Sequence, residues 1–338
     1  MPRFQIARKQ FGTYPILTLR DTKNGAEADI ALFGATLLAY RVPVRGKLFD
    51  VTDGFQTPEE LESGKGGRAW IMAPFSNRID EGRYTFGGAT HAIPMPDPAK
   101  RVVLHGFVRQ TVFDVVKESA DEARAEIVLS TSVIRPGACE GYPFAVDVTV
   151  TFTLGDGKLN VQLAGKNVGT TAAPFAGGWH PYFRTGTNGI DKLRLMIPAR
   201  GRIVTGDRLL PVAGEQAFAT CESAPELDFR PHRPNNGNVL GARVLDGAYY
   251  NLIADEDGLA RTMIEDPEAG IRITVCQEGG LMHVFTGDTL PTRKRASIAL
   301  EPVMFMTNAF NRPECAADLA LAAGATRVFR FGTKVQVF

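Results

Sequence analysis

Phe144-Ala145-Val146-Asp147-Val148-Thr149-Val150-Thr151-Phe152-Thr153-Leu154 is the stretch that decides the fold. Phe144, Val146, Val148, Val150, Phe152 and Leu154 point one way, and Asp147, Thr149, Thr151 and Thr153 the other. Successive side chains of a strand alternate between faces, so the pattern predicts a strand with one face in a core and one in water. Gly155-Asp156-Gly157 follows, and Leu159, Val161 and Leu163 resume the alternation. A short glycine-bearing turn between two such runs predicts an antiparallel hairpin.

Outward from this hairpin, similar short runs lie at residues 16–19, 28–33, 112–116, 126–130, 193–197, 271–277, 283–286 and 327–337. Between them stand loop-forming clusters such as Pro94-Met95-Pro96-Asp97-Pro98 and residues 231–237. Helical signals are scarce. Thr57-Pro58-Glu59-Glu60 is a capping box with proline at the first helical position, which predicts a short helix. The alanine-rich residues 313–323 predict a second. Many closely spaced strands with few short helices define an all-β protein, a large antiparallel β-sandwich. No charge run, low-complexity linker or fixed-period repeat divides the 338 residues, so one domain over 1–338 is expected.

Composition narrows the function. Hydrophobic residues make up 44% and charged residues 22%, ordinary values for a soluble globular protein. A net charge of +1 gives no reason to expect nucleic acid or an anionic membrane surface as partner. A small uncharged ligand fits better. The N-terminal residues show no apolar signal region, and no apolar run approaches the roughly 18 residues of a membrane span. Cys139, Cys221, Cys276 and Cys315 are widely spaced with no C-x-x-C pair, as expected of reduced thiols in a cytoplasmic protein.

The chemistry centres on Gly177-Gly178-Trp179-His180-Pro181-Tyr182-Phe183-Arg184. Glycine allows close backbone approach, proline restricts the exit, and Trp179, Tyr182 and Phe183 offer flat apolar faces of the kind that stack on sugars. On local features His180 is either a proton-transfer group with a tunable pKa or a buried histidine satisfied by a carbonyl. Ala73-Pro74-Phe75-Ser76-Asn77-Arg78-Ile79 sets an amide and a guanidinium side by side in an apolar segment. Leu104-His105-Gly106-Phe107 places a second histidine before a glycine, and Ala299-Leu300-Glu301-Pro302 ends an apolar run with a carboxylate. Burying that carboxylate requires a partner. Asp246 in Leu245-Asp246-Gly247 is a turn residue or a ligand contact, and Arg78 a surface cation or a site cation. Gln277 ends the apolar face of Ile271, Ile273 and Val275, where its amide either lines a wet pocket or reaches solvent.

Taken in order, these residues resemble a known family. Gly34-Ala35-Thr36-Leu37, Asn77-Arg78-Ile79 with Gly82, His105-Gly106, Glu140-Gly141-Tyr142-Pro143, His180-Pro181-Tyr182-Phe183, Asp246, Gln277, Phe285-Thr286-Gly287, Glu301-Pro302 and Asn308-Ala309-Phe310-Asn311 form a series similar to that of the aldose 1-epimerase (galactose mutarotase) family. The resemblance implies the galactose mutarotase-like supersandwich and the interconversion of α and β anomers of a hexose. It implies that His180 is the general acid toward the ring oxygen and Glu301 the general base toward the anomeric hydroxyl. His105 and Arg78 would bond near the ring oxygen, with Asn77, Asp246 and Gln277 orienting the sugar. Trp179 and Tyr182 would meet the pyranose face, and Gly177 and Gly178 would allow close packing beneath the histidine. His180 and Glu301 are expected to converge on opposite sides of one pyranose-sized cleft. Where the best-known galactose-active members have His-Ser-Tyr-Phe and a second glycine after the first histidine, this chain has Pro181 and Phe107.

Ring opening needs only a proton on the ring oxygen and loss of one from the anomeric hydroxyl, so no metal or redox cofactor is required. The expected partner is a small-molecule sugar, bound by a monomer or homodimer. Two neighbouring functions share the motif: a hexose-6-phosphate 1-epimerase, for which Arg68, Arg83 or Arg184 would hold the phosphate, and a non-catalytic sugar-binding β-sandwich. A metal site of His105, His180, Asp246 and Glu301 lacks any local ligand pairing.

Overall fold

The computed structural model describes residues 2–186, 189–231 and 238–338; residues 232–237 of the expected loop lie outside these. The hairpin forms as the alternation predicts. Val146–Gly155 and Lys158–Asn167 pair antiparallel from Val146↔Asn167 to Gly155↔Lys158. Its two-residue turn, Asp156-Gly157, has positive φ at both positions (50° and 66°), matching the twist of the flanking strands. The strand starts at Val146 rather than Phe144, whose ring packs against Tyr142 (5.0 Å) and Phe86 (5.5 Å) instead.

The hairpin lies within an eight-stranded antiparallel sheet in the order Asp114–Ala120, Arg124–Ile134, Val146–Gly155, Lys158–Asn167, Thr326–Val337, Ile271–Gln277, Ala260–Asp266, Arg194–Met196. Facing it, a second sheet runs Phe218–Thr220, Ala199–Ile203, Asp246–Leu252, Leu281–Phe285, Ile298–Val303, Gly178–His180, Trp70–Met72, with Tyr182–Phe183 also pairing with Ile298–Val303. Five N-terminal strands between Phe4 and Asp50 form a third sheet. The architecture is the expected large antiparallel β-sandwich.

The two eight-stranded sheets meet where Trp179 stacks on Phe331, ring centroids 5.4 Å apart. A Cβ on Gly177 would sit 2.5 Å from the Leu163 side chain, so only glycine lets the strands approach this closely. Leu163, Phe331, Met282, Val284 and Leu300 belong to one continuous buried cluster. Burial of each such large side chain contributes about 1.5–3 kcal/mol.

The capping box behaves as predicted: Thr57 accepts from the Glu60 amide at 3.2 Å, and Pro58–Ser63 is helical. The second helix is shorter than expected. Pro313–Cys315 is a 3-10 turn and Ala316–Leu319 one α-turn, after which Ala320–Leu321 pairs with Ala173–Pro174. Leu319 and Leu321 are both buried, and their spacing of two suits extended chain. All four cysteines are free thiols. Among the described residues no helix is long and apolar enough to cross a membrane.

Candidate active site

Antiparallel register assembles the site. Gly178 pairs with Val303 and Tyr182 with Ala299, which brings His180 beside Glu301. Glu301 pairs with His283 on the next strand, and His180 with Trp70 on the other side. One cross-strand row therefore presents Trp70, His180, Glu301 and His283 to the same face. Residues one position away turn to the opposite face, so Trp179, Leu300 and Val284 enter the core.

The row floors a cleft of about 300 Å³, large enough for one pyranose. Its polar lining includes Asn77, Arg78, Lys100, His105, His180, Asp246, His283 and Glu301; Trp70, Tyr182, Phe285 and Leu290 add apolar surface. A hollow of about 280 Å³ on the solvent face of the other sheet, between Thr151, Asn160 and Arg330, holds none of these groups. His180 Nε2 lies 3.4 Å from Glu301 Oε1. The two stand side by side on one wall rather than across the cleft from each other. The anomeric hydroxyl and the ring oxygen are bonded to the same carbon, so an acid and a base serving both belong next to one another.

Other partners fix the surroundings. Asp246 opens a strand instead of forming a turn; Oδ1 meets His283 Nε2 at 2.9 Å and Oδ2 meets Arg78 at 3.3 Å. Arg78 also donates to Asn77 Oδ1 at 2.8 Å. The backbone beneath is locked: the Asn308 amide donates to the Arg78 carbonyl, and the His105 amide to the Asn77 carbonyl. His105 Nδ1 lies 2.8 Å from the Met72 sulfur. At Gly106 a Cβ would fall 2.0 Å from the Ala73 carbonyl oxygen, so the glycine after His105 is required by close approach. Tyr182 stacks on His180 (centroids 5.0 Å, planes 19° apart) and donates to the Gly66 carbonyl at 2.8 Å.

Burial sets the protonation pattern. It raises the Glu301 carboxyl to about 8, partly opposed by His283 and Arg78. It draws His180 down to about 3, with His283 adding to the effect. His105 is lowered well below its ordinary value, chiefly by burial and then by His180. Burial would also lower His283, but Glu301 and Asp246 outweigh it and the net shift is upward. For Asp246 burial pushes up, yet His283 and Arg78 hold it well below the usual carboxylate range. Glu301 Oε2 is buried without a hydrogen-bond donor, an arrangement that calls for a hydroxyl at that point.

Six of the seven expected site residues, Asn77, Arg78, His105, His180, Asp246 and Glu301, line this one cleft. Gln277 does not. Its amide nitrogen donates to the carbonyls of Gly279 (2.7 Å) and Leu281 (3.1 Å), tying the turn that leads into the His283 strand. We expect Gln277→Ala to leave KM within about twofold while lowering stability by about 1–2 kcal/mol, the order of two backbone-directed hydrogen bonds. Sugar titration beside thermal melts checks both. Trp179 is a second correction: fully buried, it faces the core. The expected phosphate cations are also elsewhere. Arg68 is buried in an ion pair with Asp53 (2.5 Å) and lies beneath the Tyr182 ring; Arg184 donates to the Asp50 carbonyl; Arg83 stands on an exposed hairpin position. Trp70 and His283 are lining residues that sequence reasoning missed.

A β-sandwich whose sugar-sized cleft pairs an imidazole with a carboxylate is the architecture of a carbohydrate isomerase. The aldose 1-epimerase family model matches residues 15–332, and the chain belongs to that family. It is 25% identical over 255 residues to the uncharacterized protein YihR of Escherichia coli, covering 75% of this chain and 74% of that one. It is 29% identical over 219 residues to galactose mutarotase of Mus musculus, covering 61% of this chain and 60% of that protein. Among solved structures, a galactose mutarotase-like protein from Clostridium acetobutylicum superposes with a TM-score of 0.83 at 14% identity, covering 99% of both chains. Galactose 1-epimerase from Lactobacillus acidophilus gives 0.81 at 15% identity, covering 100% of this chain and 99% of that one.

Proposed function

We propose that this protein interconverts the α and β anomers of a free hexose, with Glu301 as general base and His180 as general acid. The observation that carries the reading is the 3.4 Å contact between His180 Nε2 and Glu301 Oε1 at the floor of the cleft. Once the pair's single proton has passed from Glu301 to His180 across that contact, Glu301 takes the proton of the anomeric hydroxyl while His180 gives one to the ring oxygen, and the C1–O5 bond opens. The aldehyde turns about C1–C2, the hydroxyl attacks the other face, and the two groups exchange roles. Asn77, Arg78, His105 and Asp246 orient the hydroxyls, and Trp70 and Tyr182 meet the apolar ring face. Arg78 and Lys100 are the Lys or Arg side chains lining the cleft; Arg78 is engaged by Asp246, and Lys100 stands exposed near the rim. That charge pattern supports an unphosphorylated sugar over a hexose 6-phosphate. A carboxyl buried so far from its normal pKa, beside an imidazole in a cleft, supports a catalytic role over binding alone. A main core cluster that draws on residues from Phe4 to Phe331 supports treating residues 1–338 as a single domain.

Polarimetry or NMR exchange spectroscopy on freshly dissolved glucose, galactose and glucose 6-phosphate tests the proposal; no acceleration with any free hexose would sink it. The pH profile adds a check. The pair holds one proton up to the Glu301 value of about 8, because burial raises that group. Above it the acid is lost, so kcat/KM is expected to fall toward tenfold per pH unit, and a flat profile to pH 10 would contradict the assignment.

A further inference from the structure

The cleft buries two carboxyl groups, Asp246 and Glu301, and one fixed cation, Arg78, which Asp246 already engages. His180 and His105 face the same space from the Gly178–His180 strand and the loop after Val102–Leu104. Burial holds both toward the neutral form. Glu301 would then have no cation of its own, and a buried carboxylate without one is strongly disfavoured. His283 stands in the place that charge requires. It is 4% exposed, it is the cross-strand neighbour of Glu301, and its Nε2 is clamped at 2.9 Å by the carboxylate that Arg78 anchors from the far side.

We propose that His283 is a positioning residue: kept as an imidazolium by Asp246, it lies beside Glu301 and weakens that carboxyl's hold on the proton it shares with His180. The series Arg78–Asp246–His283–Glu301 then alternates in sign across three strands of the sheet and the segment bearing Arg78. Of the other groups near the pair, Tyr182 stacks on the His180 ring and Arg68 lies against Tyr182. The proposal builds on the mutarotase reading of the cleft.

His283→Gln separates charge from shape, since the amide still offers Asp246 a donor. If His283 carries the charge, Glu301 binds its proton more tightly in the variant. The alkaline limb of kcat/KM should move up by about one pH unit, and kcat at pH 7 should fall about tenfold with KM little changed; one unit is tenfold in proton affinity. A histidine that merely braces Asp246 would leave the limb where it is, and that result overturns the proposal. The charge is also readable directly. In ¹⁵N-histidine NMR of the wild-type protein, His283 should be an imidazolium at pH 7, and Glu301→Gln should lower its titration midpoint, because coupling between two titrating groups is mutual. A neutral His283 at pH 7 refutes the proposal even if the glutamine variant does not fold. Failure of the mutarotase reading would look different: no anomer exchange by the wild type with any sugar, whatever the NMR titration shows.

Discussion

Glu301→Gln and His180→Asn are each expected to slow anomer exchange by roughly 10²–10⁴-fold, the usual contribution of one positioned acid or base. The two act as a unit on one carbon and its two oxygens, so the double variant should lose little more than either single one. NMR exchange rates on all three proteins measure this, and a single variant retaining near wild-type turnover would refute the assignment. Loss of activity should come without loss of fold. The Glu301 pKa is about 8 in the folded protein against an ordinary 4.5, so folding takes up a proton there. Stability from that uptake is fully present in acid and declines as pH rises through about 8. Glutamine never has to ionise, so the melting temperature of Glu301→Gln relative to wild type should increase as pH is raised from about 5 to 9. A variant that is inactive yet better folded in alkali would separate chemistry from structure.

The strand pattern was legible from side chains alone, because a sandwich buries alternate residues and leaves the others wet. The 144–154 alternation, the Asp156-Gly157 turn and the Thr57 capping box each follow from local physics, and each formed with at most a shift of a residue or two. The site was legible only in part. His180 and Glu301 meet through strand register, which no local pattern reports, and it was family resemblance that paired them. Gln277 lies outside the cleft lining because an amide ending an apolar face can as well tie a turn as line a pocket, and here Gly279 and Leu281 offer it carbonyls. The residue that reaches the cleft lies six positions on, at His283, in step with Phe285 by the period of two. Alternation also held the answer for Trp179: a strand that aims His180 at the cleft must aim its neighbour at the core.

That last point gives the second large expected effect. Trp179 is fully buried, stacked on Phe331 and edge-on to Phe183 at 6.3 Å. Trp179→Ala should cost about 3–5 kcal/mol through the cavity it leaves between the sheets. At about 2–4 °C per kcal/mol for a chain of this order of size, the melting temperature should drop by roughly 10 °C. Trp70, one strand over and on the opposite face, is half-buried, edge-on to His105 at 5.9 Å, and under the Arg109 guanidinium at 5.1 Å. Trp70→Ala should instead raise KM about tenfold, worth about 1.4 kcal/mol, with a much smaller change in melting. The Trp179 indole nitrogen has no hydrogen-bond partner, so Trp179→Phe removes an unsatisfied donor while keeping most of the ring contact and should recover much of the lost stability. If melts and sugar titrations gave the reverse assignment, a KM effect at 179 and a stability effect at 70, the face of the sheet that carries the chemistry would have been identified wrongly.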